Sequence, residues 1–211
     1  MGLRAAGVCG LLAFVTLSVG WIAGDLAQPD AYSSMDDDTS DLGAMTASSA
    51  WIYNQIGDNL TGILVVLFGL GLWRALSPDV LGRIGAGALI LTGIGVFFDG
   101  VFRLDCRGID RGCINDSWHS SAHKMETRIT VAATLLAPLI LAFAFRRNRR
   151  WHDAWLPSLA AIPASIVVGV AFSARGDGAA VRATTATWFV WLGFVAVRLI
   201  QATTPAHART G

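Results

Sequence analysis

Apolar residues run along this chain in six long blocks, at about 5–27, 51–73, 83–102, 122–145, 154–174 and 184–202, and the ionisable residues gather near the ends of those blocks. A hydrocarbon core about 30 Å thick is crossed by roughly 20 apolar residues in helical form. Each block therefore predicts one transmembrane helix. Six such helices use about 120 residues, so a single all-α bundle of six transmembrane helices over 1–211 accounts for nearly the whole chain. No room is left for a second folded domain. The first block carries Arg4 ahead of it and small residues near Gly24 and Ala27, as a cleaved leader would. Its apolar run is longer than a leader's core, and it is read as a retained helix.

Basic residues in short loops favour the cytoplasmic side. The densest run, Arg146, Arg147, Arg149 and Arg150, follows the fourth block. Placing it inside also puts Arg4, Arg74, Arg83, Arg198 and Arg209 inside, with both termini cytoplasmic and the protein in the cell membrane. The acidic run Asp36, Asp37, Asp38 and Asp41 then lies outside. So does the loop in which Arg103, Arg107 and Arg111 alternate with Asp105, Asp110 and Asp116. Only 15% of residues are charged and 54% are apolar, against about 25% charged in soluble domains. The net charge of +1 excludes the basic stripe that nucleic acid requires. Membrane lipids are the partners this composition implies. A protein partner or a homo-oligomer stays open, because the glycine-rich second and third helices can pack within one chain or between chains.

Cys106 and Cys113 share the second outside loop, where an oxidising compartment permits a disulfide. Zinc ribbons use closer pairs and two further ligands. Cys9, within the first block, is read as a small apolar packer. The acidic run does not follow the EF-hand spacing and is read as a solvated loop. Asn115-Asp-Ser117 matches the glycosylation sequon, whereas the match at Asn59 to Thr61 falls within a helix. Pro157 and Pro163 are expected to kink the fifth helix.

Ionisable groups inside a membrane bundle are costly and mark either a functional site or mutual pairing. Here they converge near one face: Asp25 in the first helix, Asn54, Asp58 and Asn59 in the second, Asp99 in the third, and His119, His123, Lys124, Glu126 and Arg128 opening the fourth. His119, His123 and Glu126 stand at i, i+4 and i+7, on one helical face. Two histidines and a carboxylate can hold zinc with an open position, so zinc is the candidate cofactor and these three are its candidate ligands, with Asp58 or Asp99 as alternative carboxylates. The competing reading is an ion-pair network, Glu126 with Arg128 or Lys124 and Asp99 with Arg103, that fixes helix register without any metal. No His-Glu-x-x-His and no Gly-x-Ser-x-Gly is present. His152 and His207 fall at the opposite face, which argues against bis-histidine haem.

The stretch Tyr32-Ser33-Ser34, then Ser40-Asp41-Leu42-Gly43-Ala44, leads into Trp51-Ile52-Tyr53-Asn54 and Gly62-Ile63-Leu64. With Asp105-Cys106, Cys113, His119 and His123 further on, this resembles the bacterial membrane family known as domain of unknown function 998. The resemblance covers essentially the whole chain and implies the same six-helix layout. A similar Ser-Asp-x-Gly stretch occurs in the Frag1/DRAM/Sfk1 group, a more distant likeness. It directs attention to Ser40, Asp41, Asp58, Asp99, His119 and His123 but implies no activity.

Three functions fit these residues. The first is a non-enzymatic membrane protein that binds a lipid or small ligand through Asp41, Asn54, Asp58, Asp99, His119, His123 and Glu126. The second is a metal-dependent intramembrane lipid hydrolase. The third is a transporter or proton-coupled carrier, disfavoured because the charges stop near one face and the other halves of the helices are apolar.

Overall fold

The computed structural model describes residues 1–202, so Arg209 and His207 lie outside the described residues. Those residues fold as helices and loops without a strand. Six helices are long and apolar enough to cross a membrane: α1 Leu3–Leu26, α2 Thr61–Leu76 continuing a π-helical segment Ile52–Leu60, α3 Val80–Asp99, α4 Trp118–Arg147, α5 Trp155–Ser173 and α6 Asp177–Ala202. This is the architecture of a multi-pass membrane protein in a lipid environment. Each helix packs on its neighbours in chain order, and α6 returns to α1, so the six close into a ring.

Small residues set the spacing of that ring. The buried face of α1 includes Ala6, Gly10, Ala13, Leu17, Gly20 and Gly24, with Gly7 beside them, a stripe with steps of three and four that lets another backbone approach closely. At Gly20 the approaching backbone is Gly57 of the π-helical segment: a methyl group on Gly20 would run into the Gly57 Cα. Gly62 and Gly93 make the matching crossing of α2 and α3. A methyl on Gly62 would lie 2.6 Å from the Gly93 carbonyl oxygen, and one on Gly93 would lie 2.8 Å from that of Gly62.

The half of the bundle near the chain start is filled by apolar side chains. Phe68, Leu72, Leu89, Leu141, Phe145, Leu192 and Leu199 are all buried in one cluster. Trp151 stacks on Phe145 with ring centroids 5.1 Å apart. Two placements differ from the hydropathy reading. The sixth helix starts at Asp177, seven residues before the apolar block, because Arg182 satisfies its charge within the protein. It thus carries Arg182 as well as Arg198. Trp188 consequently sits mid-helix and buried, where its indole donates to the Thr134 carbonyl at 3.0 Å. In α5, Pro157 falls in the first turn and Pro163 inside the helix, which continues through it. α4 contains a further proline, Pro138.

Gly20→Val and Gly93→Val are expected to lower the thermal midpoint in detergent, since overpacking costs about 1–3 kcal/mol. Gly2→Val, which meets open space, is expected to melt like the parent. Parental melting of both crossing variants would contradict the close approach.

Candidate functional site

Two loops close one end of the ring, and their polar groups bond mainly to each other. The Ser40-Asp41-Leu42-Gly43 stretch forms a 3-10 turn, Thr39–Gly43, which Asp38 caps by accepting from the Ser40 amide. The Gly43 carbonyl accepts from the Asn54 amide at 3.1 Å and from Arg103 Nε at 2.9 Å, and Arg103 Nη2 donates to the Ala44 carbonyl at 2.9 Å. Gly43 has no space for a side chain because Asn54 presses on it. Buried Asp41 accepts the Gly108 amide with both oxygens at 3.1 Å. Burial and the nearby Asp38, Asp37 and Asp110 push its carboxyl above the ordinary range, although the Gly108 bond opposes this.

The second loop is held by the Cys106–Cys113 disulfide. Asn115 reaches back across it, its side-chain oxygen accepting from the Asp105 and Cys106 amides at 2.8 and 3.2 Å. Asp105 accepts from both the amide and the hydroxyl of Ser117 at the start of α4. Arg107 pairs with Asp110 at 2.7 Å and donates to Gln28 Oε1 at 3.1 Å. Arg107 and the Thr46 hydroxyl together hold Asp110 down at about 2. On the other flank, Arg182 of α6 straps the first loop: it donates to the Ser34 and Asp37 carbonyls, to Asp25 and to the Tyr32 hydroxyl. Burial lifts Tyr32 to about 12.

Beneath this cap lies a cavity of about 330 Å³ walled by α1, the π-helical segment, α3, α4 and α6. Its polar walls are Asp38, Thr39, Ser40, Tyr53, Asp58, Asp99, Glu126, Thr127, Thr130 and Thr185, and its apolar walls include Leu17, Trp21, Val96 and Phe189. Among the described residues, no lysine or arginine lines it. The π-helical winding matters here. Such segments are rare and occur disproportionately at functional sites, and in this one Tyr53, Asn54, Gly57, Asp58 and Asn59 are all buried. Asn59 uses its amide to tie the segment to the Phe97 carbonyl at 2.6 Å. The Tyr53 hydroxyl bridges Thr39 and Asp58.

Asp99, His123 and Glu126 each bring one donor atom to within 4.8 Å of the others. His123 Nδ1 donates to the Phe102 carbonyl at 2.9 Å and lies 3.1 Å from Asp99 Oδ1. A carbonyl can only accept, so this nitrogen carries the proton and Nε2 the lone pair. Glu126 Oε1 accepts from Thr130. Asp58 Oδ2 and Glu126 Oε2 are buried with no hydrogen-bond partner among the described residues, and so is the Trp21 indole nitrogen.

The structure divides the sequence-predicted residues into three groups. Asp58, Asp99, His123 and Glu126 converge. Asp41 and Asn54 belong to the cap. His119 is helical, in the first turn of α4, but its ring lies 3.6 Å from that of Trp118 and it stands near Asp105. Asp99 takes the third place in the cluster because α3 packs along α4 at that level. The expected ion pairs go elsewhere: Arg103 binds the Gly43 and Ala44 carbonyls and Lys124 the Asn115 carbonyl at 2.7 Å, while Arg128 is exposed. The Arg182 strap, Thr130 and Trp21 went unremarked in the sequence, and Tyr53 entered only within the stretch that carries the family resemblance. Of the first three, only Arg182 carried a signal, an arginine two residues ahead of an apolar block.

The sequence pattern of the family described as Protein of unknown function (DUF998) matches residues 8–198, and the chain belongs to that family. No curated protein and no solved structure matches it.

Asp110 predicts how the cap responds to acid. A carboxyl held at about 2 in the folded state, against an ordinary value near 3.9, stabilises the fold above the ordinary value. That contribution is lost as pH falls through about 4 towards 2. The stability difference between the parent and Asp110→Asn is therefore expected to be full at about pH 5 and to shrink over that window. A difference that stays constant through it would contradict the assignment.

Proposed function

We propose that this protein is a membrane-embedded binding protein that takes the polar head of a lipid, or a small molecule arriving from the bilayer, into the capped cavity. The observation that carries this reading is the pair of buried carboxyl oxygens, Asp58 Oδ2 and Glu126 Oε2, that have no partner among the described residues, in a wall to which those residues bring acceptors and hydroxyls but no basic side chain. Buried polar groups are ordinarily satisfied. Unsatisfied acceptors on residues that line a cavity call for a donor-rich or positively charged guest.

The volume is at the low end of small-molecule sites, which run to roughly 300–1,000 Å³, so it suits a headgroup rather than a whole lipid. Val131 of α4 and Val181 of α6 line the cavity while 52% and 38% exposed. They mark a side opening between two helices, through which an acyl chain would remain in the bilayer. One helical turn deeper than Val131 and Thr130, the Trp188–Thr134 bond ties α4 to α6, and the apolar cluster follows. A floor of that kind favours binding over passage to the other side. The distribution of Arg146, Arg147, Arg149 and Arg150 supports placing the capped end outside the cell membrane with both termini cytoplasmic.

Gently extracted wild-type protein is expected to retain a bound molecule in native mass spectrometry. Asp58→Asn removes a charged acceptor worth about 1.5–3 kcal/mol, so occupancy should fall roughly tenfold or more. Val131→Trp, across the side opening, should reduce it too. An absence of any adduct in the wild type, or identical adducts in all three proteins, would refute the reading.

A further inference from the structure

A second cavity, of about 360 Å³, opens at the same end of the bundle between α1, the first loop, the α5–α6 turn and α6. Phe172, Ala183 and Ala186 give it an apolar side, and Asp25, Arg175 and Arg182 a charged one. Backbone contacts fix its shape. The Met35 carbonyl accepts from the Ala179 amide at 2.8 Å, which holds the first loop against the opening turn of α6. A methyl group on Gly176 would run into that same carbonyl oxygen.

The unpartnered groups here are donors, the reverse of the acidic chamber. Arg182 spends its two terminal nitrogens on the Ser34, Asp37 and Gly178 carbonyls, Asp25 and the Tyr32 hydroxyl. Its Nε–H has no partner among the described residues, and neither has the Trp21 indole N–H. Both residues line this cavity, and buried donors are ordinarily satisfied. Arg175 lies over the Phe172 ring, 5.7 Å from its centroid, and pairs with no acid among the described residues. Asp25 is the one carboxylate on the walls and already pairs with Arg182 at 3.1 Å, so the walls carry two cations and one anion. Of the acids close in sequence, Asp36 and Asp37 accept from Ser33, and neither they nor Asp177 line the cavity. α5 ends at Ser173 and α6 begins at Asp177. Arg175 therefore stands where the apolar spans stop, the level at which lipid phosphates lie, while Phe172, 40% exposed, lies at the end of the apolar span.

We propose that this groove holds a phospholipid of the surrounding leaflet by its phosphate, with Arg175, Arg182 and Trp21 as donors and an acyl chain leaving along Phe172, Ala183 and Ala186. Guanidinium groups match phosphate in geometry and charge, and basic pockets between membrane helices are suited to lipid headgroups. The volume fits a phosphate and its glycerol and leaves the chains in the bilayer. The site shares only Trp21 with the acidic chamber and asks for a guest of opposite charge, so it stands independently of that reading.

The test titrates the delipidated full chain in detergent with phosphatidic acid and with diacylglycerol of the same chains, and counts bound lipid by native mass spectrometry. The two probes differ in the phosphate alone. Wild type is expected to take up about one phosphatidic acid, at least about tenfold more tightly than diacylglycerol. Arg175→Gln, which changes an exposed side chain, should abolish that preference, and Ala183→Phe should weaken binding by filling the apolar side. Arg111→Gln removes an equal charge from an exposed position in the cap, and Asp58→Asn alters only the chamber. Both should bind as wild type does, and inorganic phosphate should not displace the lipid. Equal binding of the two probes to wild type overturns the proposal, as does a preference that persists in Arg175→Gln or is lost as fully in Arg111→Gln. Displacement by inorganic phosphate would mark a site for a free anion and overturn it as well.

Discussion

Three carboxyl groups, Asp58, Asp99 and Glu126, face one another across a chamber that no lysine or arginine among the described residues lines. Isolated charges are expensive inside a bilayer, and bringing three acidic groups together compounds the cost. A bundle meant only to be stable would replace them with apolar residues or pair each with a base. Here the bases are present but used elsewhere. Arg103 and Lys124 fasten backbone carbonyls of the cap, and Arg182 straps the first loop. The acidic chamber is thus left open to an outside cation or donor.

The rest of the fold keeps that chamber in place. Gly20 against Gly57 and Gly62 against Gly93 bring α1, the π-helical segment and α3 close enough for Asp58 and Asp99 to share one cavity. The cap then shuts the end of the ring with hydrogen bonds between loops distant in sequence, of which Asp41 to Gly108 and Arg107 to Gln28 are the clearest. Apolar packing from Phe68 to Leu199 closes the other end. Access is left from the side, past Val131 and Val181. A binding protein that takes its guest from lipid would need an opening of this kind.

Much of this was legible in the sequence, for reasons that differ by residue. Six apolar blocks gave six helices because hydropathy in a bilayer is a near-direct readout of span. The start of α6 was missed because Arg182 is neutralised by Asp25, Tyr32 and loop carbonyls, partners up to 157 residues away that no local window can see. Asp58, Asp99, His123 and Glu126 stood out as costly groups at one level of the bundle. Helical periodicity favoured His119 as a ligand, but periodicity describes one helix and the site is built between helices. α3 supplies Asp99 to that face, while His119 turns towards the loop. The roles of Asp41 and Asn54 in the cap depend on Gly108 and Gly43, contacts fixed only when both loops are folded. The π-helical winding of Ile52–Leu60 has no sequence signature that we recognise.

The central claim is that the acidic chamber is occupied in the working protein. The most direct measurement is a high-resolution density map of protein purified in native lipid with no ligand or metal added. The account predicts density touching Asp58 and Glu126 within the cavity and continuing between Val131 and Val181 towards the bilayer. A chamber filled only by ordered water, with the carboxyl groups bonded to one another and to that water, would contradict it.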